Sequence, residues 1–205
     1  MPKIRLTKGE LKRQRDALKQ FGHYLPILQL KKQQLQLERQ QIHRKLNMKA
    51  QEIDDMENEI SDWAGFLNEP GDHVSEWVKP KEVMTGSVNI AGVDVPYFER
   101  VEFEEAEYDF FAVPLWVDAA IDKTRQLVAM LEEEKILRKQ AEIIEKELHI
   151  TTQRVNLFEK VKIPECKENV RLIRIYLGDQ QTNAVGRSKM AKSKIEKLIL
   201  EAVPA

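Results

Sequence analysis

Four histidines and one cysteine are the side chains in this sequence best suited to bind a metal ion or to act as a nucleophile. His23, His43, His73 and His149 are scattered and form neither an HExxH motif nor a Cys/His zinc spacing. Cys166 has no evident histidine partner that could activate its thiol. We therefore interpret the histidines as ordinary helix-face residues and Cys166 as a small side chain on a helix, and we predict no metal site.

Nucleotide-binding loops are also missing from the sequence. None of the eight glycines opens a G-x-x-x-x-G-K-[ST] pattern, and no dinucleotide fingerprint occurs. Neighbouring carboxylates such as Asp54 and Asp55 lie in a charge-rich helical segment, where such pairs occur by chance. The residues alone predict a mechanical or scaffolding protein that has no catalytic residues and no cofactor.

The composition favours long exposed helices over a thick globule. One residue in three is charged and aromatic residues are few, while the formal net charge is only −1, so overall charge predicts no nucleic-acid binding. A single cysteine excludes an internal disulfide framework and fits a reducing compartment. The longest apolar run, residues 110–117, is much shorter than the about 20 residues that span a bilayer, so we expect no membrane insertion.

A long amphipathic helix is predicted for residues 1–69. Thr7 and Glu10 have the spacing of a capping box at its start, and the Asn-Glu-Pro-Gly sequence at residues 68–71 should end it. Pro26 lies inside this helix, and we expect it to bend the helix, since flanking leucines can offset the proline's cost of about 3 kcal/mol. Division into two helices at Pro26 is the alternative. The heptad seam comprises Leu11, Leu18, Leu25, Lys32, Arg39, Leu46, Ile53, Ile60 and Leu67, with Gln14, Phe21, Leu28, Leu35, Ile42, Lys49, Met56 and Trp63.

The period changes in residues 70–114, which we interpret as an insertion. Val88 and Ile90, then Val93 and Val95, alternate with polar residues on either side of an Ala-Gly pair. This pattern predicts a short β-hairpin. Because a two-stranded hairpin is marginal alone, it must rest on the helices or on a partner.

A second long helix is predicted for residues 115–205, with a change of phase inside it. The first heptad runs through Val155 and would place its next member at Lys162, but the apolar pattern resumes at Ile163. From there the heptad continues through Val170, Leu177, Ala184, Ala191 and Leu198. A slip of one residue turns the apolar stripe by about 100°. The sequence leaves open whether the helix breaks, kinks or forms a π-bulge at Ile163 and Pro164.

Together these elements predict a mainly α fold: a long antiparallel two-helix coiled-coil hairpin with a short β-hairpin insertion between the helices, in one elongated domain. Both ends of the chain are basic, since seven Lys and Arg oppose two Asp and Glu in residues 1–19, and five oppose two in residues 186–205. In residues 98–109, six acidic residues oppose one basic residue. We therefore expect a cationic tip at the paired termini and an acidic patch toward the insertion.

One stretch resembles a known family. Residues 154–164, Arg-Val-Asn-Leu-Phe-Glu-Lys-Val-Lys-Ile-Pro, together with Leu-Lys-Arg-Gln in the first helix and Asn-Ile-Ala-Gly-Val-Asp-Val-Pro-Tyr-Phe-Glu in the hairpin, are similar to the D subunit of the V-type (vacuolar/archaeal-type) ATP synthase and ATPase family. The order of elements agrees along essentially the whole chain. The family pattern is matched by Arg154, Val155, Asn156, Glu159, Ile163 and Pro164.

The resemblance implies a non-catalytic central rotor stalk that couples ATP synthesis or hydrolysis to proton or sodium translocation by the membrane ring. The partners it implies are the hexamer of A and B subunits, the small F subunit of the stalk, and a cup-like subunit on the membrane ring. It also implies a cytoplasmic location, peripheral to the membrane. From charge and position, we expect hexamer contacts from Arg5, Lys8, Lys12, Arg187, Lys189, Lys192 and Lys194. At the small-subunit and membrane-ring end we expect contacts from Val88, Ile90, Val93, Val95, Glu102 and Glu104.

Two other functions are compatible with the heptads and the charges. A non-rotary coiled-coil adaptor or tether would bind partners through an exposed seam, whereas a rotor shaft should purify in a 1:1 complex with a small α/β partner. A helical hairpin that binds nucleic acid through its basic termini would bind duplexes with a steep salt dependence.

Overall fold

The computed structural model describes residues 4–63, 77–104 and 116–202. Its elements are, in chain order, α1 (Lys8–Trp63), β1 (Pro80–Ile90), β2 (Val93–Phe103), α2 (Val117–Leu157), a π-helical turn (Phe158–Lys162) and α3 (Ile163–Ala202). The predicted fold class is confirmed, because long helices flank a two-stranded antiparallel sheet. The predicted helix end at residues 68–71, the two boundaries of the insertion and the acidic residues 105–109 lie outside the described residues.

The chain divides into two compact units. Met1–Gln29 and Gln153–Ala205 form one, which we call the terminal unit, and Leu30–Thr152 forms the other, which we call the hairpin unit. Helix α1 contributes residues to both units.

Helix α1 begins and continues as the sequence predicts. The backbone N–H of Glu10 donates to Oγ1 of Thr7 at 3.2 Å, which satisfies one of the free amides of the first turn. The Glu10 carboxylate accepts a bond from Gln14 at 2.9 Å, so only one half of the capping box forms. The helix is continuous through Pro26. Every predicted seam position from Leu11 to Ile60 is buried or partly buried, which confirms the heptad assignment.

In the terminal unit, the start of α1 pairs with the π-helical turn and α3. The rings of Phe21 and Phe158 lie 5.0 Å apart between centroids, and the amide of Asn169 donates to Gln14 at 3.4 Å. Since Gln14 precedes Phe21 whereas Asn169 follows Phe158, the two segments are antiparallel. The pairing ends near Leu177, because every side chain from residue 178 to residue 198 is exposed.

In the hairpin unit, α1 and α2 are antiparallel and the β-hairpin covers them. Charged pairs join the two helices: Lys31 with Glu147 at 2.9 Å, Lys49 with Glu133 at 3.0 Å, and Lys123 with Glu59. Apolar side chains from both helices and from β2 form the core of this unit, which comprises Leu35, Ile42, Val95, Ala141, Ile144 and Leu148.

The β-hairpin is longer than the short one that the alternation predicts, because each strand contains 11 residues. Its turn lies at the predicted Ala-Gly pair: Ala91 has φ +52° and Gly92 has φ +76°. Two consecutive positive φ angles define a type I′ turn, whose twist matches that of the strands. Ile90 therefore faces Val93 across the hairpin, and Val88 faces Val95.

Candidate functional site

The motif at residues 154–164 contains a π-helical turn. The N–H of Ile163 donates to the carbonyl of Phe158, five residues back instead of four. Pro164 has no N–H to donate, and in a regular α-helix its ring would clash with the carbonyl of Lys160. The wider turn relieves this clash, so the Ile-Pro pair gives a physical reason for the π-helical turn. Of the three alternatives that the sequence left open, the π-bulge is the one that forms.

The π-helical turn inserts one residue and thereby corrects the phase of the apolar stripe. Val155 before the turn is 4% exposed, and after it Cys166, Val170 and Ile173 are buried on the side that faces α1. In an uninterrupted α-helix, the one-residue slip would turn these later side chains by about 100° away from α1. The turn therefore keeps both stretches of the helix packed against the same partner.

The motif residues fall into two groups by burial. Val155 is buried and Ile163 is partly buried, so both belong to the helix packing. Arg154, Asn156 and Glu159 are exposed, and no hydrogen bond or ion pair joins them to other residues in the described part of the chain. Pro164 is also exposed. The three exposed polar side chains are thus free to contact another molecule.

All seven cations predicted to contact a hexamer lie in the terminal unit and are exposed. Lys192 is 3.8 Å from Glu196, one turn further along α3. The other six form no ion pair among residues 4–63, 77–104 and 116–202: Arg5, Lys8, Lys12, Arg187, Lys189 and Lys194. Their charges are therefore not neutralised by described neighbours and remain available to an anionic surface.

The six residues predicted for the opposite contact differ widely in exposure. Val95 is fully buried in the core, and Ile90 and Val93 pack against that core, whereas Val88 is 43% exposed. Glu104 is exposed. Glu102 is partly exposed and pairs with Arg100 at 2.8 Å. Three of the six residues therefore have side chains that are exposed or partly exposed and outside the core, namely Val88, Glu102 and Glu104.

Comparison with known proteins gives one family over most of the chain. A family model that describes the ATP synthase D subunit matches residues 10–193. The chain belongs to the ATP synthase D-subunit family. It is similar to the V-type ATP synthase D subunit of Borreliella burgdorferi, with 46% identity over 96% of this chain and 97% of that protein. It is also similar to the V-type ATP synthase D subunits of Chlamydia felis, with 32% identity, and Chlamydia pneumoniae, with 31%. The Chlamydia matches cover 94% of this chain and 94% and 93% of those proteins, so the predicted resemblance is confirmed.

In this member of the ATP synthase D-subunit family, polar contacts that the sequence does not predict attach the hairpin to α2. The guanidinium of Arg125 donates to the carbonyl of Trp77 at 2.8 and 3.0 Å and to that of Glu104 at 2.6 Å. It also lies 5.3 Å from the ring centroid of Phe103. Residues far apart in sequence meet here, so no local sequence signal identifies Arg125 as the side chain that ties the base of the hairpin to α2.

The histidine, cysteine and acidic side chains that could bind a metal ion do not cluster in the described part of this family member. Among these residues, no three His, Cys, Asp or Glu side chains lie close enough to hold a metal ion. Cys166 is buried, and burial raises the pKa of its thiol, so the unreactive protonated form predominates at neutral pH. None of the described helices combines the length and apolar character that a membrane span requires.

Proposed function

We propose that this chain is the central rotor-stalk subunit of a V-type ATP synthase/ATPase. In this role it turns inside a hexamer of A and B subunits and couples ATP synthesis or hydrolysis there to proton or sodium translocation by the membrane ring. Its membership of the ATP synthase D-subunit family and the names of its relatives support this assignment. The chain itself performs no catalysis in this proposal.

The observation that carries the proposal is the C-terminal part of α3, residues 178–198, which we call the arm and which has no pairing partner among the described residues. All of its side chains are exposed, including Val185, Met190 and Ile195, which are each more than half exposed. Most helix stability in proteins comes from a packed apolar face, and no described residue packs on that of the arm. A surrounding protein ring would supply that packing.

The charges of the terminal unit suit a contact that must move. Exposed ion pairs contribute only about 0–1 kcal/mol each, so breaking any one of them costs little. A shaft held by several such pairs can pass from one angular position to the next without a large barrier. We propose that Arg5, Lys8, Lys12, Arg187, Lys189, Lys192 and Lys194 contact the A and B subunits in this way.

The hairpin unit then contacts the rest of the stalk. We propose that Val88, Glu102 and Glu104 contact the small F subunit or the cup-like subunit on the membrane ring, because they are the accessible side chains of the predicted set that lie outside the core. Val95, Ile90 and Val93 contribute indirectly, since they hold the hairpin on the helices. The assembled machine would be peripheral to the membrane on its cytoplasmic side.

Reconstitution of the soluble ATPase tests this proposal. Purified A, B and F subunits and this chain are combined, the A/B hexamer is fixed to a surface, and a bead is attached to the stalk. We expect ATP to drive rotation in one direction only. Replacement of Lys8, Lys12, Arg187 and Lys189 together by Gln should weaken assembly about tenfold or more, because up to about 1 kcal/mol is lost for each pair.

A matched variant separates position from charge. Four exposed lysines of the hairpin unit that form no ion pair among the described residues are replaced by Gln in the control: Lys45, Lys81, Lys139 and Lys146. This control should assemble and rotate as the unmodified chain does. Equal behaviour of the two variants would contradict the proposed hexamer contact. A complex that hydrolyses ATP with a stationary stalk would instead favour a non-rotary tether.

A further inference from the structure

Strand β1 has an outer edge whose backbone groups face away from the hairpin. In an antiparallel pair that closes on a two-residue type I′ turn, hydrogen-bonded and non-hydrogen-bonded residue pairs alternate from the turn outward. Ile90 and Val88 therefore bond to β2 through their backbone, and Asn89 and Ser87 between them point their N–H and C=O outward. Thr85 follows the same alternation. Among the described residues, nothing hydrogen-bonds to these outward backbone groups.

The opposite edge of the hairpin, along β2, is blocked at Pro96. Pro96 faces Ser87 in the register and has no N–H to offer an added strand. Its outward carbonyl accepts a hydrogen bond from the side-chain amide of Gln140 on α2. β2 is also the strand that contributes the fully buried Val95 to the core. The two edges of the same sheet therefore differ at this pair: among the described residues, Ser87 on β1 offers an outward N–H and Pro96 on β2 offers none.

A groove lies between α1 and the turn end of β1. It has a volume of about 540 Å³ and is lined by Leu30, Gln33, Gln34, Leu37 and Glu38 of α1 and by Asn89, Ile90 and Ala91 at the end of the hairpin. Leu30 and Leu37 are 57% and 54% exposed, which is unusual for two leucines seven residues apart on one face of a helix. Two exposed leucines of α1 thus line this groove near the end of β1, whose outer edge has no neighbour among the described residues.

We propose that the β1 edge accepts an extended strand from a partner protein, which pairs with the outward backbone of Thr85, Ser87 and Asn89 and covers Leu30 and Leu37. This inference rests on the proposed function, from which we take the partner to be another component of the stalk. It adds the way in which that partner binds. Strand addition gives affinity through main-chain hydrogen bonds and specificity through alternate side chains in pockets. The inward side chains of the added strand would be apolar, because they lie on the two leucines.

The edge itself favours a strand over a helix as the occupant. Residues 85–90 carry no charged side chain and no proline, although soluble proteins commonly protect a long exposed edge with lysine or proline. A helix in the groove could cover Leu30 and Leu37, but it would leave the outward amides of β1 without partners. A strand satisfies both the amides and the leucines.

Hydrogen exchange of individual amides tests the inference directly. In the isolated chain, the amides of Thr85, Ser87 and Asn89 should exchange rapidly, whereas those of Val88 and Ile90 are already protected by β2. In the soluble ATPase complex reassembled from its purified subunits, we expect the three outward amides to slow by at least about tenfold. A helix in the groove would protect the unit without this alternation, and that result would overturn the proposal.

Two variants at one position provide the matched test. Ser87→Pro removes the outward N–H that an added strand needs. It leaves the hairpin's own hydrogen bonds intact, because the backbone N–H and C=O of Ser87 both point away from β2. Ser87→Ala keeps the N–H and is the control. We expect Ser87→Pro to abolish the protection at Asn89 in the complex and to lower recovery of the partner at least about tenfold, while the thermal midpoint of the isolated chain changes little.

Further outcomes would overturn this inference, and they distinguish its failure from failure of the proposed function. Equal assembly of the two Ser87 variants would contradict it, and so would protection that depends on the concentration of the isolated chain, because the occupant would then be a second copy. If ATP drives rotation while the outward amides stay unprotected, the strand proposal fails and the rotor function stands. If the amides are protected but the stalk does not rotate, the rotor function fails and strand addition stands.

Discussion

The π-helical turn makes a prediction about which residue of the second helical stretch can be deleted. Deletion of Val161, which is 49% exposed, removes the extra residue and should convert the turn to α-helix with Cys166, Val170 and Ile173 still facing α1. Pro164 would then lie in a regular helix, where its ring and missing N–H cost about 3 kcal/mol. Combining the deletion with Pro164→Ala should bring the free energy of unfolding back to within about 1 kcal/mol of the unmodified chain.

A deletion in the regular part of α3 provides the comparison. Lys167 is exposed, as Val161 is, but its deletion rotates all later side chains by about 100°. Val170 and Ile173 would lose their burial against α1, and each contributes about 1.5–3 kcal/mol, so the loss should be about 3–6 kcal/mol.

Urea unfolding followed by far-ultraviolet circular dichroism measures these free energies on the full chain. We expect the Val161 deletion combined with Pro164→Ala to be nearly as stable as the unmodified chain. The Val161 deletion alone should be less stable, and the Lys167 deletion should be as unstable as the Val161 deletion alone or more so. If the combined variant is destabilised as much as the Lys167 deletion, the turn does not correct the helix phase, and our explanation of the motif is refuted.

Further predictions concern the hairpin unit and the cysteine. Ala91→Asn should stabilise the chain by about 1 kcal/mol, because Asn adopts positive φ more readily than Ala, and a lower thermal midpoint would contradict this. Val95→Ala should cost about 2 kcal/mol whereas Val88→Ala costs less than about 1, since the first valine is buried and the second is 43% exposed; equal urea midpoints would exclude this burial. Cys166 should react with a thiol reagent at pH 8 at least about tenfold more slowly in the native chain than in urea. Hydrogen bonding to Glu52 raises the pKa of Lys49 above 10.5, so its stabilising contribution is complete below that pH and is lost as pH rises through the raised pKa. The loss of unfolding free energy at alkaline pH should therefore be smaller in Lys49→Gln than in the unmodified chain. An identical pH dependence of the unfolding free energy in the two proteins would contradict this prediction.

The exposed arm and the free cations could be predicted from the sequence only in part. Heptad positions continue through Ala184, Ala191 and Leu198, which predicts pairing to the end of the chain, yet all three are exposed. The periodicity records that one face is apolar but carries no information on which molecule covers it. In this chain the antiparallel partner, α1, begins at Lys8, so α3 continues without a described partner beyond Leu177.

The sequence by itself determined the helices, the position of the hairpin turn and the family, because each depends on local spacing: heptads, an Ala-Gly pair between alternating strands, and the motif at residues 154–164. Only the tertiary structure decided which strand of the hairpin packs on the helices and which is left exposed. Val88 and Val95 look equivalent in the alternation and face each other in the register, yet one is 43% exposed and the other fully buried. The difference arises because one strand lies on the helices and the other forms the open edge, and that asymmetry depends on packing between residues distant in sequence.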